Sequence, residues 1–129
     1  MGKKGKDGAG YGSVSIAEIN GKKQYVQMTG RGVLAVDARS GRPLWHYNKI
    51  ANGTANIPSI IVDGDHIFAS TGYSDGGSAL LRITTSGARE IKYYSAVELQ
   101  NHHGGMVLLD GHVYGGHGNN RGEPFCLEM

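Results

Sequence analysis

The sequence predicts an all-β fold made of β-propeller blades, four-stranded antiparallel repeats of about 45 residues in an incomplete propeller. Three observations carry this prediction. Glycine fills 22 of 129 positions, against an average usage of about 7%. The apolar runs are short and broken by Asn-Gly or Asp-Gly, the strongest short-range hairpin signals, because a type I′ turn needs positive φ at both central residues. The pattern also recurs, with spacings of 43 and then 47 residues from turn to turn. Four strands in that length is the period of a propeller blade.

The elements follow in order. Residues 1–12 read as a flexible basic tail holding Lys3, Lys4 and Lys6, with a Gly-rich linker from Gly8 to Gly12. Blade one is expected over 13–49. Its first hairpin runs from Val14 to Met28 and turns at Asn20-Gly21. Its second pair is Val33 to Asp37, a turn at Arg39-Ser40-Gly41, then Leu44 to Tyr47. Blade two is expected over 57–95, with a hairpin turning at Asp63-Gly64 and a second pair turning at Thr85-Ser86-Gly87. Residues 95–101 suit either one helical turn or a loop. An incomplete blade three is expected over 104–129, turning at Asp110-Gly111 and reaching a third strand at Pro124 to Glu128. Blades left open at both ends carry unpaired edges. The chain therefore reads as a fragment that pairs with itself or with a protein supplying missing blades.

Composition narrows the function. A helical bundle is excluded, since each interior glycine costs about 1 kcal/mol. Three prolines without a G-X-Y period exclude collagen. No stretch approaches the ~20 apolar residues of a membrane span. Outside the lysine tail, ten basic and ten acidic residues balance, which argues against a nucleic-acid or anionic-lipid surface. No apolar segment follows the lysines as in a signal peptide. The single Cys126 excludes an internal disulfide. Its strand position matches Ala35 and Leu81, so it reads as a small buried hydrophobe.

Ala35-Val36-Asp37-Ala38-Arg39-Ser40-Gly41-Arg42-Pro43-Leu44-Trp45 resembles the repeat of pyrroloquinoline-quinone-type propellers, Ala-x-Asp-x-x-Thr-Gly-x-x-x-Trp. In that pattern Asp37 and Ser40 set up the turn, Gly41 takes positive φ and Trp45 docks between blades. Ser86 and Gly87 keep part of it in repeat two, where Ile83 stands for Asp37 and Ile91 for Trp45. The resemblance covers roughly residues 12–129. It implies a periplasmic or extracellular bacterial protein. Some members are calcium- and quinone-dependent dehydrogenases, and others bind only protein partners. Pyrroloquinoline quinone and calcium need residues from many blades, so neither is expected on this chain alone. The reading that follows is a non-catalytic scaffold or protein-interaction module, with a fragment of a quinoprotein oxidoreductase as the alternative.

Candidate ligand contacts collect where the loops entering a blade meet those between its second and third strands, the usual functional face of a propeller. His102 and His103 are expected near His117, because a turn at 110–111 folds one strand back on the other. Asn101, Asn119 and Asn120 belong to the same end. Neutral imidazoles so placed could bind a transition metal, or simply satisfy backbone groups with the asparagines. Matching loops in the other blades offer Asn52, Asn56, Tyr73, Ser74 and Asp75. Arg31 in blade one could hold an anion. No catalytic set, nucleophile elbow or phosphate loop is present.

Overall fold

A computed structural model describes residues 7–8, 10–73 and 76–129. Eleven strands and no helix occur among them. The first sheet is β1 (Ser15–Ile19), β2 (Lys22–Thr29), β3 (Gly32–Asp37) and β4 (Pro43–Tyr47). The second is β5 (Ile61–Asp63), β6 (His66–Thr71), β7 (Gly77–Thr84) and β8 (Gly87–Ser95). The third is β9 (Val107–Leu109), β10 (His112–His117) and β11 (Glu123–Glu128). Each sheet is an antiparallel meander in chain order, with four, four and three strands. These are two four-stranded propeller blades and an incomplete third, and they do not close into a ring.

The β-alternation sends side chains to both faces of the middle sheet. Ile67, Ala69, Ala79, Leu81 and Ile83 pack against Ala17, Ile19, Val26, Met28, Val33, Ala35 and Trp45 of the first sheet. Phe68 and Leu80 point the other way, against Val113, Leu108, Phe125 and Leu127 of the third. Burying apolar surface of this kind is worth about 25 cal/mol per Å², so the two interfaces are what join the blades.

Two of the three first hairpins turn as the dipeptides predict. Asn20 and Gly21 have φ of 53° and 68°, and Asp110 and Gly111 have 50° and 72°. The middle one differs. Asp63 pairs with His66, so the turn is Gly64-Asp65, one residue later than expected. Gly64 alone has positive φ there, and Gly at the first central position is the type II′ requirement. A one-residue slip exchanges the two faces of a strand, and the slip places Phe68 and Ser70 toward the third sheet.

The second turns also differ from one another. Gly41 lies in a loop between β3 and β4, whereas Gly87 opens β8 and pairs with Thr84 across the two-residue turn Thr85-Ser86. With the bulge at Leu80/Leu81, Leu80 pairs with Lys92 as Ala35 pairs with Trp45. Lys92, not Ile91, therefore takes the tryptophan's place in the second sheet. Residues 96–98 form a turn, with Glu98 and Leu99 donating to the Ser95 carbonyl, not a helix.

Cys126 is exposed, contrary to its expected burial. It sits beside Tyr114 on the face of β11 that points away from the second sheet. The comparable residue Ala35 is covered because another sheet follows it; among the described residues no sheet follows the third. Of the expected tail, residues 1–6 and 9 lie outside the described residues. Gly8 and residues 10–12 rest on the body: Tyr11 donates to the Asn56 carbonyl and the Gly12 carbonyl accepts from Gln27 Nε2 at 2.8 Å. Gly10 lies so close to the Met28 backbone that no side chain fits there.

Candidate functional site at the blade junctions

The loop after β4 builds one junction from amides. Asn52 Nδ2 donates to Thr71 Oγ1 at 2.7 Å and to the Gly72 carbonyl at 2.8 Å, while Asn52 Oδ1 accepts from the backbone of Thr54 and Ala55. Asn56 Oδ1 accepts from Thr71 Oγ1 at 2.8 Å. Both asparagines are buried, and burial without partners would be costly. They tie the loop into the end of β6.

The loop after β8 repeats the device one blade on. Asn101 Nδ2 donates to the Gly116 carbonyl at 3.0 Å and Asn101 N to Ser70 Oγ at 2.7 Å. Ser78 Oγ links Ser70 Oγ, at 2.8 Å, to the Leu99 carbonyl, at 2.9 Å. Ser70 and Ser78 carried no sequence signal, because an isolated serine inside an apolar strand reads the same whether or not it has such work.

His102 and His103 meet, with ring centroids 3.7 Å apart, and Tyr73 stands edge-on to His102 at 4.2 Å. His102 Nδ1 is 2.8 Å from the Asn119 carbonyl; a carbonyl only accepts, so Nδ1 carries the proton. Gly72 packs directly on this ring, since a Cβ there would lie 2.6 Å from His102 Cα. Tyr73 has φ of 69°, a conformation that turns its ring toward the pair.

His117 does not join them. Asn101 bridges to Gly118 in parallel, so residues 101–103 do not continue β9 toward His117 as expected. His117 Nδ1 accepts from Gln100 N at 3.1 Å, and its ring lines a separate cleft of about 420 Å³ with Asn119, Asn120 and Arg121. No group of three or more His, Cys, Asp or Glu suited to a metal occurs among the described residues. Arg31 faces Asp7, with Nε 3.8 Å from Oδ1. Ser74 and Asp75 lie outside the described residues.

The repeat-motif residues do structural work. Asp37 Oδ1 accepts from Arg39 N, Ser40 N and Ser40 Oγ at 3.0, 2.8 and 2.9 Å. The Ser40 bonds hold its carboxyl below the ordinary range. Gly41, with φ of 69°, donates back to the Asp37 carbonyl. Trp45 lies in the core between the first two sheets, and its Nε1 donates to Gln24 Oε1 at 2.9 Å. Gln24 was not foreseen, since glutamine in a hairpin strand gives no pattern of its own. At the rim of the same junction, Tyr47 donates to Glu90 Oε2 at 2.6 Å and Lys49 to both Glu90 oxygens. Burial, then Glu90, pushes the Tyr47 phenol far up. The Tyr47 bond, with Lys49, lowers Glu90.

No helix among the described residues is long and apolar enough to cross a membrane. No curated protein and no solved structure matches the chain. A family model does, described as outer membrane protein assembly factor BamB, over residues 3–129. Three stacked meanders and a Trp-docked Asp-x-x-Ser-Gly turn fit that match, and the chain belongs to this family of PQQ-like propeller repeats.

Proposed function

We propose that the chain is a non-catalytic repeat module that works by binding protein, in an extracytoplasmic setting, and that its blades stack on those of a second copy. One observation carries the reading. On the outer face of the third sheet Val107, Leu109 and Tyr114 are 62%, 57% and 42% exposed, while the corresponding face of each earlier sheet is covered by the sheet that follows. The outer face of the first sheet likewise presents Ile16, 59% exposed, and Tyr25, 39% exposed. Each interface inside the chain joins one such face to the other kind, so the partner suited to the third sheet is the first sheet of another copy. A head-to-tail contact of this sort builds rings or filaments.

The loop-end side chains support the same reading. Asn52, Asn56 and Asn101 are engaged with backbone and offer no acid–base pair to a substrate. Quinone and calcium are not expected to bind this chain alone. The experiment is light scattering over a concentration series, with Val107→Lys as comparison. Mass rising with concentration, and falling back to monomer in the variant, is expected. A monomer at every concentration would overturn self-stacking, and stoichiometric quinone binding would overturn the non-catalytic reading.

A further inference from the structure

Three buried side-chain atoms lack a hydrogen-bond partner among the described residues, and they belong to consecutive residues: Gln100 Oε1, Asn101 Oδ1 and His102 Nε2. All three are acceptors. Asn101 already donates through Nδ2 to the Gly116 carbonyl, and the His102 proton sits on Nδ1, against the Asn119 carbonyl. A buried acceptor without a donor is costly, so a donor from outside the chain belongs at this turn. Of the three residues, Gln100 lines the cleft of about 420 Å³ beside the β10–β11 loop, far more room than a single water needs.

The walls of this cleft are held together. Gln100 N donates to His117 Nδ1 at 3.1 Å, and the Gln100 carbonyl accepts from Gly118 N at 3.0 Å. With Nδ1 accepting, the neutral His117 ring carries its proton on Nε2. One wall therefore offers an acceptor and the other a donor. The formal charges cancel, since Arg121 and Glu123 face each other at 3.7 Å. An anion would meet the Gln100 oxygen and the Glu123 carboxylate; a cation would meet the Arg121 guanidinium and the His117 N–H. Val97, 89% exposed, and Ala96 add apolar surface, and no Trp, Tyr or Phe lines the cleft. We propose that the cleft binds a neutral amide carried on a small apolar group. The amide N–H donates to Gln100 Oε1, its carbonyl accepts from His117 Nε2, and the apolar group lies on Ala96 and Val97. A peptide bond in an extended segment and the side-chain amide of an Asn or Gln share this chemistry. The proposal rests on the protein-binding reading and names the part of a partner that is held, but it does not depend on self-stacking.

The test follows the Gln100 side-chain amide and the His117 ring by nuclear magnetic resonance, at a dilution where the chain is monomeric. The probes are acetyl-valine methylamide, propionamide, propionate, propylammonium and maltose. Saturable shifts of both resonances are expected with the two amides, at millimolar concentration, and none with the other three. Tighter binding of the capped valine assigns the site to peptide backbone; equal binding of propionamide assigns it to an Asn or Gln side chain. Gln100→Met keeps the length of the side chain and removes the acceptor. It should weaken amide binding by about five- to tenfold, while its midpoint in urea holds or rises, because no bond within the fold is lost. A lowered midpoint, undiminished binding in the variant, or shifts with propionate, propylammonium or maltose as large as with the amides would overturn the proposal. No response to either amide, in protein that still self-associates at higher concentration, would strike this site and leave the protein-binding reading standing.

Discussion

The Trp45 indole donates to Gln24 Oε1 across 2.9 Å inside the junction of the first two sheets, and both residues are buried. The bond satisfies the only polar atom on a ring whose remaining surface is core. Replacing Gln24 with Met keeps the volume and orphans the indole N–H. That should cost about 1–3 kcal/mol, read as a lowered midpoint in urea. Trp45→Phe removes the donor together with the indole's second ring, and should cost as much or more through the cavity it leaves. An unchanged midpoint in both variants would show that the bond contributes nothing.

The Asp37 turn should respond to its parts separately. Asp37→Ala removes the acceptor of three hydrogen bonds and should lower the unfolding midpoint, since the turn's donors are left to water alone. At Gly41 a Cβ meets nothing within 4 Å, but φ is 69°. Gly41→Ala therefore pays only the left-handed conformation, about 1 kcal/mol, and Gly41→Asn less. The check is thermal unfolding of the three variants side by side, with Asn above Ala.

The strand count, the hairpins and the repeat were legible because they rest on local chemistry: Asn20-Gly21 and Asp110-Gly111 turn as the dipeptides require. The slip at Gly64-Asp65 was not, because Asp63-Gly64 reads equally well locally and only packing decides that Phe68, not Ile67, faces the third sheet. Cys126 shows the same limit. Its face was readable from alternation, but its exposure depends on what lies beyond the third sheet. At the candidate site the sequence brought His102, His103 and Asn119 to one place. It could not foresee that residues 101–103 leave the line of β9, which sends His117 to another cleft.

Gly72 is the point where the β6–β7 loop presses on His102. A methyl there meets His102 Cα at 2.6 Å and Cβ at 2.7 Å, with backbone rather than a movable side-chain end in the way. Gly72→Ala should cost at least about 2 kcal/mol and separate the Tyr73 and His102 rings. Gly53→Ala, where nothing lies within 4 Å, is the neutral control. Hydrogen exchange should place the loss of protection in residues 99–103. Equal stability of the two variants would show that the loop yields.

The rim contact between Tyr47 and Glu90 predicts pH dependence on both sides. Glu90 is lowered by Tyr47 and Lys49, so its stabilisation is full above about pH 4.5, the ordinary carboxyl value, and is lost as pH falls through the lowered native value. Tyr47 is raised, so its contribution is full below about pH 10 and is lost as pH rises. Asp37, Asp65 and Glu98 are lowered too and add to the acid limb, so the difference between proteins is the useful quantity. Glu90→Gln should flatten that limb by less than about 1 kcal/mol, since the pair is solvent-screened. Tyr47→Phe should flatten the alkaline one. Parallel stability curves for wild type and Glu90→Gln between pH 3 and 6 would dismiss the contact.

Cys126 reports on the outer face of the third sheet without ambiguity, because it is the only cysteine. It shares that face with Tyr114, its direct partner across the ladder, and Tyr114 pairs in turn with Val107. In dilute native protein the exposed thiol should react with a maleimide at a rate close to that of the unfolded chain, where a core cysteine would wait for unfolding. If a second copy stacks on this face, the rate should fall as concentration rises, and Val107→Lys should restore it by placing a charge where an apolar contact is needed. Slow labelling at every dilution would mean that the face is covered from within the chain. A rate independent of concentration, in protein that still self-associates, would move the contact to the edge of β11 and away from the face that Tyr114 and Cys126 share.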